Sequence, residues 1–186
     1  ESVQMARLYN RATLATIDGM PLVKKARRSG LVCERCAAPD IMGPIFSEGL
    51  KRGATHYVYG GKDETIVRRL RESLERDYPG IRILGMYCPP FRPLTDEEDA
   101  AVCREINDLH PDFVWVGIGA PKQEMWIEEH LQKIHGCVML GVGAAFDFFA
   151  GTLDKAPEWV ENAGLEWLFR LIKEPTRLWR RYIVGG

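Results

Sequence analysis

VWVGIGAPKQEMW, from Val114 to Trp126, is the stretch whose reading decides the fold. An apolar run ends in Gly117-Ile118-Gly119, Pro121 sits where a helix should begin, and Lys122, Gln123 and Glu124 fill that helix's first turn. A buried strand that gives way to bare backbone and then to a helix N-terminus is how α/β proteins build a site for an anionic ligand.

Working outward, short β-branched or apolar runs alternate with amphipathic segments. Strands are expected over Thr13–Ile17, His56–Tyr59, Arg82–Tyr87, Phe113–Ile118 and Val138–Val142. Helices are expected over Ile41–Lys51, Glu64–Tyr78, Asp96–Leu109 and Lys122–Ile134. Thr95 and Glu98 have capping-box spacing for the third helix, and Tyr78-Pro79-Gly80 stops the second. This alternation predicts an α/β, Rossmann-like, mostly parallel sheet with helices on both faces. After Gly143 the chain reads as loop and helix, with one helix ending near Lys173 and another beginning around Pro175. The domain reading is an α/β core over residues 1–164 and a basic, amphipathic helical segment over residues 165–186.

The 186 residues suffice for one domain with a real core, and 46% hydrophobic with 27% charged content is ordinary for a globular protein. A net charge of −1 gives no support to nucleic-acid binding. The charge is uneven, because residues 165–186 hold five basic and two acidic residues. No apolar stretch approaches the roughly 18 residues of a membrane span. Cys33, Cys36, Cys88, Cys103 and Cys137 are odd in number and irregular in spacing, which reads as a reducing, cytoplasmic compartment. Cys33 and Cys36 form a CxxC without a second ligand pair, so incidental thiols are the better reading and no metal is expected.

Ligands of open α/β sheets bind at the carboxyl ends of strands. Asp18, Gly60-Gly61, Gly119 with Lys122 and Gln123, and Asp147 fall at such points. Asp18 could take a proton from a hydroxyl, or it could cap the next helix. Gly60-Gly61 fits a close ligand approach or a tight turn equally. Lys122 and Gln123 can bind a sugar or phosphate, although Lys122 could simply be solvated. Asp147, between two phenylalanines, is either a hydrogen-bonded structural group or one that orients a ligand. Arg177, Arg180 and Arg181, at i, i+3 and i+4, share one helical face, either binding phosphates or a membrane surface or simply solvated. A dinucleotide GxGxxG fails, because Lys122 and Phe146 occupy its last position, and no Walker A motif is present.

GIGAPKQEMW, GVGAAFDFFAG, KAPEWVENAGLEWLFRL and KEPTRLWRRY, in this order, resemble the signatures of the WecG/TagA/CpsF family of bacterial glycosyltransferases. IDGMPLVKKARRSG and ERCAAPD resemble two of its upstream segments. The resemblance covers nearly the whole chain. It implies a metal-independent, inverting enzyme without a cofactor. Its donor is a UDP-sugar, usually of N-acetylmannosamine type, and its acceptor a polyprenyl-diphosphate-linked sugar. The work is done at the cytoplasmic face of the bacterial membrane, in teichoic acid, common-antigen or exopolysaccharide synthesis, and a homo-oligomer is compatible with it. By this resemblance Asp18 matches the catalytic base and Arg35 an arginine near the donor phosphates. Gln123 and Asp147 match polar pocket residues, and Arg170, Arg177 and Arg180 match arginines near the lipid diphosphate.

The sequence departs from the pattern in three places. A Thr-x-Asn segment expected ahead of Glu1, with one or two strands, lies outside the chain. Ala38 replaces a glycine, and Lys155 replaces an arginine, which keeps charge but loses a bidentate fork. Two other readings are a non-catalytic nucleotide-sugar-binding subunit, which predicts UDP binding without transfer, and an oxidoreductase, which the glycine pattern disfavours.

Overall fold

The computed structural model describes residues 2–154, 156, 157, 160 and 164–173. The chain divides into two compact units, one of residues 1–15 and 38–153, the other of residues 16–37 and 154–186.

The first unit holds a four-stranded sheet of β1 (Thr55–Gly60), β2 (Arg82–Tyr87), β3 (Phe113–Gly117) and β4 (Val138–Gly141). All pairings are parallel, in the order β2-β1-β3-β4. Parallel neighbours need crossover helices, which the chain supplies as α4 (Glu64–Asp77), α5 (Asp96–Leu109) and α6 (Lys122–His130). Ahead of the sheet run α1 (Ser2–Arg11) and α3 (Ala38–Arg52), and after it comes the short α7 (Ala145–Phe149).

Alternation along the central strands assigns the two faces. Val58 and Trp115 point to one, packing with Met42 and Phe46 of α3, Leu70 and Leu74 of α4 and Phe146 of α7. Tyr57, Tyr59, Val114 and Val116 point to the other, against Val102 and Ile106 of α5 and Trp126 of α6. The sheet is therefore covered on both sides, as the continuous apolar strands require. Gly85 makes room for Tyr57, since a Cβ there would lie 2.5 Å from the tyrosine ring.

The helix ends follow their local chemistry. Asp63 Oδ1 accepts the Ile66 N–H at 2.9 Å at the start of α4. The expected capping box forms at α5: Glu98 N–H donates to Thr95 Oγ1 at 3.2 Å and Thr95 N–H to Glu98 Oε2 at 2.8 Å. The helix expected to reach Ile134 ends at His130, whose carbonyl gathers the N–H groups of both Lys133 and Ile134.

The strand expected over Thr13–Ile17 does not form. Residues 12–16 are exposed and pair with no strand, and Ile17 contributes one backbone bond, from the Cys36 N–H at 2.9 Å. Strand propensity reports fit to a half-buried pleated surface, and this segment has no sheet beside it.

The second unit holds α2 (Met20–Arg28) and α8 (Glu166–Lys173). The helix expected to end near Lys173 is α8; its continuation around Pro175 lies outside the described residues. No helix among the described residues is long and apolar enough to cross a membrane.

Candidate functional site

The sheet order reverses between β1 and β3, so the carboxyl ends of these two strands flank the topological switch point where open α/β sheets hold ligands. Gly60 ends β1 and pairs with Gly117 at the end of β3. A Cβ on Gly60, at φ +132°, would lie 2.5 Å from the Gly117 carbonyl oxygen. The glycine is required by strand-to-strand closeness, whatever else approaches it. Gly117 in turn lies under Phe146, whose ring leaves no space for a side chain. Gly119 differs: its φ is +82° and the space where a Cβ would sit is open. Its carbonyl accepts the Gln123 N–H at 3.0 Å and so starts α6.

Lys122 is exposed at that helix start. Gln123 is 6% exposed. Its Oε1 accepts the Gly143 N–H at 2.9 Å and its Nε2 donates to Glu124 Oε1 at 3.0 Å. The amide thereby ties α6 to the loop after β4, and Gly141 is small because a Cβ would come within 3.0 Å of Nε2. Gln123 thus braces the strand–helix junction from within.

Glu124, which the sequence marked only as a first-turn residue, emerges beside it. Its Oε2 is buried and, among the described residues, accepts no hydrogen bond. An orphaned buried carboxylate oxygen is costly and is an acceptor in waiting. Burial, and next the Glu124 carboxylate, push the Tyr9 phenol above its usual range. No sequence spacing signals this, because Tyr9 arrives from α1.

Asp147 is half-buried in α7 and folds its own loop. Its carbonyl accepts the N–H groups of Thr152 and Leu153 at 2.9 and 3.1 Å, and the Thr152 hydroxyl also reaches it at 3.1 Å. Gly60, Gly119, Lys122, Gln123 and Asp147 therefore all lie in the first unit, at or just after the carboxyl ends of β1, β3 and β4.

The second unit brings together Asp18 and Arg35. Arg35 Nη2 stands 3.2 Å from Asp18 Oδ1, with the arginine side chain 15% and the aspartate side chain 65% exposed. Asp18 does not cap a helix: Gly19 is the N-cap of α2, and its carbonyl accepts the N–H groups of Leu22 and Val23. An open carboxylate beside a mostly buried guanidinium is a proton acceptor next to an anion-binding fork. The sequence spacing left Asp18 with no basic residue before Lys24; the fold supplies one from 17 positions on. Arg170 lies in α8; Arg177 and Arg180 lie outside the described residues, as does Lys155.

Among the described residues, Asp99, Cys103 and His130 are the group with metal-ligand chemistry, their atoms all within 4.8 Å of one another. Sequence spacing gave no hint of it, because His130 reaches α5 only through the fold. The group is internally engaged: Asp99 receives Lys133 Nζ at 2.7 Å and faces His130 Nε2 at 2.8 Å, while His130 Nδ1 meets the Trp126 carbonyl at 2.6 Å. Burial, and then the Asp99 charge, raise the Cys103 thiol above its usual range, away from the thiolate that metals bind. Cys33 and Cys36 are free thiols.

The model of the glycosyl transferase WecG/TagA/CpsF family matches residues 1–186. The chain is also similar to an N-acetylglucosaminyldiphosphoundecaprenol N-acetyl-beta-D-mannosaminyltransferase of Bacillus subtilis (strain 168), with 29% identity over 167 residues. That match covers 89% of this chain, which spans 62% of the length of that relative. Matched over residues 1–186, the chain belongs to the WecG/TagA/CpsF family of glycosyl transferases.

Proposed function

We propose that this chain transfers a sugar of N-acetylmannosamine type, with inversion, from a UDP-sugar to a polyprenyl-diphosphate-linked sugar, in bacterial cell-surface polysaccharide or teichoic acid synthesis. The observation that carries this reading is the Asp18–Arg35 pair, at 3.2 Å, in a chain similar to a transferase named for a diphosphoundecaprenol-linked acceptor. Inversion is one in-line displacement. The acceptor hydroxyl oxygen bonds to the anomeric carbon, the bond from that carbon to the UDP oxygen breaks, and the hydroxyl proton goes to a base. Asp18, with its side chain 65% exposed, is that base.

The leaving diphosphate gains charge that must be met by donors and cations. Arg35, whose Nη2 stands 3.2 Å from Asp18 Oδ1, is the cation that meets this charge beside the base. Within the first unit, the start of α6, where Lys122 is exposed, has the polarity that suits an anionic ligand. Arg170, Arg177 and Arg180 meet the lipid diphosphate. With these cations in place the reaction needs no metal and no cofactor, and EDTA-treated protein keeps its rate. The basic 165–186 segment supports peripheral attachment at the cytoplasmic membrane face.

The test is UDP release by the full chain from a panel of UDP-sugars, with a short-chain lipid-diphosphate-sugar acceptor. Asp18→Asn should lower kcat by about 10² to 10⁴, the range of general-base contributions, with UDP binding retained. Normal turnover in a normally folded Asp18→Asn protein sinks the assignment.

A further inference from the structure

Residues 20–32 carry Lys24, Lys25, Arg27 and Arg28 and no acidic residue, in a chain whose net charge is −1. Within them, α2 buries Val23 completely, at 0% exposure. At about 100° per residue, Lys24, Lys25 and Arg28 fall on the half of the helix turned away from Val23, with Leu22 at its margin. All four of these side chains are exposed. Arg27 falls back toward Val23, and its Nε donates to the Cys33 carbonyl at 2.9 Å. Gly30, at φ +84°, then turns the chain out of the helix. Leu31 and Val32 follow, 62% and 104% exposed, and Leu22 is 61% exposed.

The helix dipole accounts for the cations of the last turn, Lys25, Arg27 and Arg28. It gives no reason to hold three aliphatic side chains in water beside them. Cations on one helix face with exposed aliphatics at its margin and tip are the composition of a surface that lies on an anionic bilayer. The same unit also exposes Leu165, Leu168 and Ile172, at 40%, 38% and 71%.

We propose that α2 and the Leu31-Val32 turn dock on an anionic lipid surface. Lys24, Lys25 and Arg28 meet the headgroup phosphates, and Leu22, Leu31 and Val32 enter the interfacial layer. This rests on the reading of Asp18 as the base for a lipid-linked acceptor. It also gives that reading a position: Asp18 is two residues ahead of Met20, within about 7 Å of the start of α2 along the chain. Docking through α2 would hold the base at the membrane surface, where a lipid-diphosphate sugar is presented.

The experiment is co-sedimentation of the full chain with vesicles of phosphatidylglycerol in phosphatidylcholine, and of phosphatidylcholine alone, at low and high salt. The expected result is preference for the anionic vesicles, weakened by salt. The K24Q/K25Q/R28Q protein should partition about a hundredfold more weakly, from about fivefold per cation. L31S/V32S should partition about tenfold more weakly at either salt concentration. Both variants should keep the wild-type thermal transition and the wild-type rate with a water-soluble acceptor. The proposal is overturned if the wild type does not prefer anionic vesicles, or if either variant partitions as the wild type does. It is also overturned if the triple variant instead abolishes a dimer seen by sedimentation velocity, since the face would then belong to a second copy. The transferase reading fails separately: vesicle binding as expected with no turnover of any acceptor sinks that reading and leaves the docking surface standing.

Discussion

Lowering the pH from 7 to 4 should cost this fold about 3 kcal/mol through a single side chain, His56. The residue is 1% exposed, on β1. Its Nδ1 accepts the Trp115 indole N–H at 3.2 Å, and its ring stacks on Phe113 at 5.6 Å. An Nδ1 that accepts a hydrogen bond carries no proton, so the site is built for neutral imidazole. Burial lowers its pKa from 6.5 to about 4, against a smaller opposing pull from Asp112. The folded pKa lies below the unfolded one, so the unfolded chain takes up the proton first as the pH falls. The His56 contribution is thus complete above about pH 6.5 and is lost progressively down to about pH 4. At about 1.4 kcal/mol per unit, that window is worth about 3 kcal/mol, a large share of the about 5–15 kcal/mol that holds a domain. Urea unfolding at pH 7, 6, 5 and 4.5 reads it directly. His56→Gln is the comparison: its amide oxygen can keep the Trp115 bond, and it does not titrate. That protein should begin about 1–2 kcal/mol less stable at pH 7 and lose much less on acidification, since the other titrating groups are shared. Parallel loss in the two proteins would refute the reasoning.

Gly60→Ala places a Cβ 2.5 Å from the Gly117 oxygen at φ +132°, and should cost about 3 kcal/mol or more. Gly119→Ala, at φ +82° with open space, should cost only about 1 kcal/mol; equal losses in urea melts would discredit the packing argument. Glu124→Gln turns a carboxylate oxygen into an amide NH2 that cannot accept a hydrogen bond, so UDP-sugar affinity should fall with the fold retained. Unchanged calorimetric affinity would make Glu124 merely structural. Thr95→Ala breaks the α5 capping box and should lower stability by about 1 kcal/mol with turnover intact; a loss of turnover would mean that α5 reaches the site.

What the sequence disclosed about the fold depended on whether neighbours merely confirmed a local pattern or overrode it. β1 to β4 were legible because each is an apolar run cut off by glycine, proline or polar residues, and because parallel strands buried on both faces need no partner to look like strands. The α5 cap was legible because both partners sit three residues apart. Thr13–Ile17 has the same β-branched composition, yet no sheet edge meets it, and composition cannot report that absence. α1 was not read as a helix, and α2 was foreseen only as an unnamed helix after Asp18, because each is short, at 10 and 9 residues, and MPLVKKARR buries a single side chain, Val23.

The site divides along the same line. Residues of the GIGAPKQE junction were legible together because one strand–helix turn carries them, and the switch point between β1 and β3 gives that junction its position in the sheet. The groups with the sharper chemistry are assembled through space. Arg35 reaches Asp18 from beyond α2, and Tyr9 reaches Glu124 from α1. This changes the weight given to Gln123. As a bare motif residue it looks like a ligand contact. In the fold its amide oxygen and one amide N–H are taken by Gly143 and Glu124. Its replacement by alanine would strip the Gly143 N–H of its acceptor and Glu124 Oε1 of the amide N–H that donates to it. Lost activity in such a protein would therefore report a loosened junction as readily as a lost sugar contact. Gln123→Glu separates the two. Glu keeps the acceptor for Gly143 but loses the amide N–H that reaches Glu124 and sets a second carboxylate there, so a structural role predicts a lower thermal transition with donor binding weakened only in proportion. A contact role predicts weaker donor binding with the thermal transition unchanged.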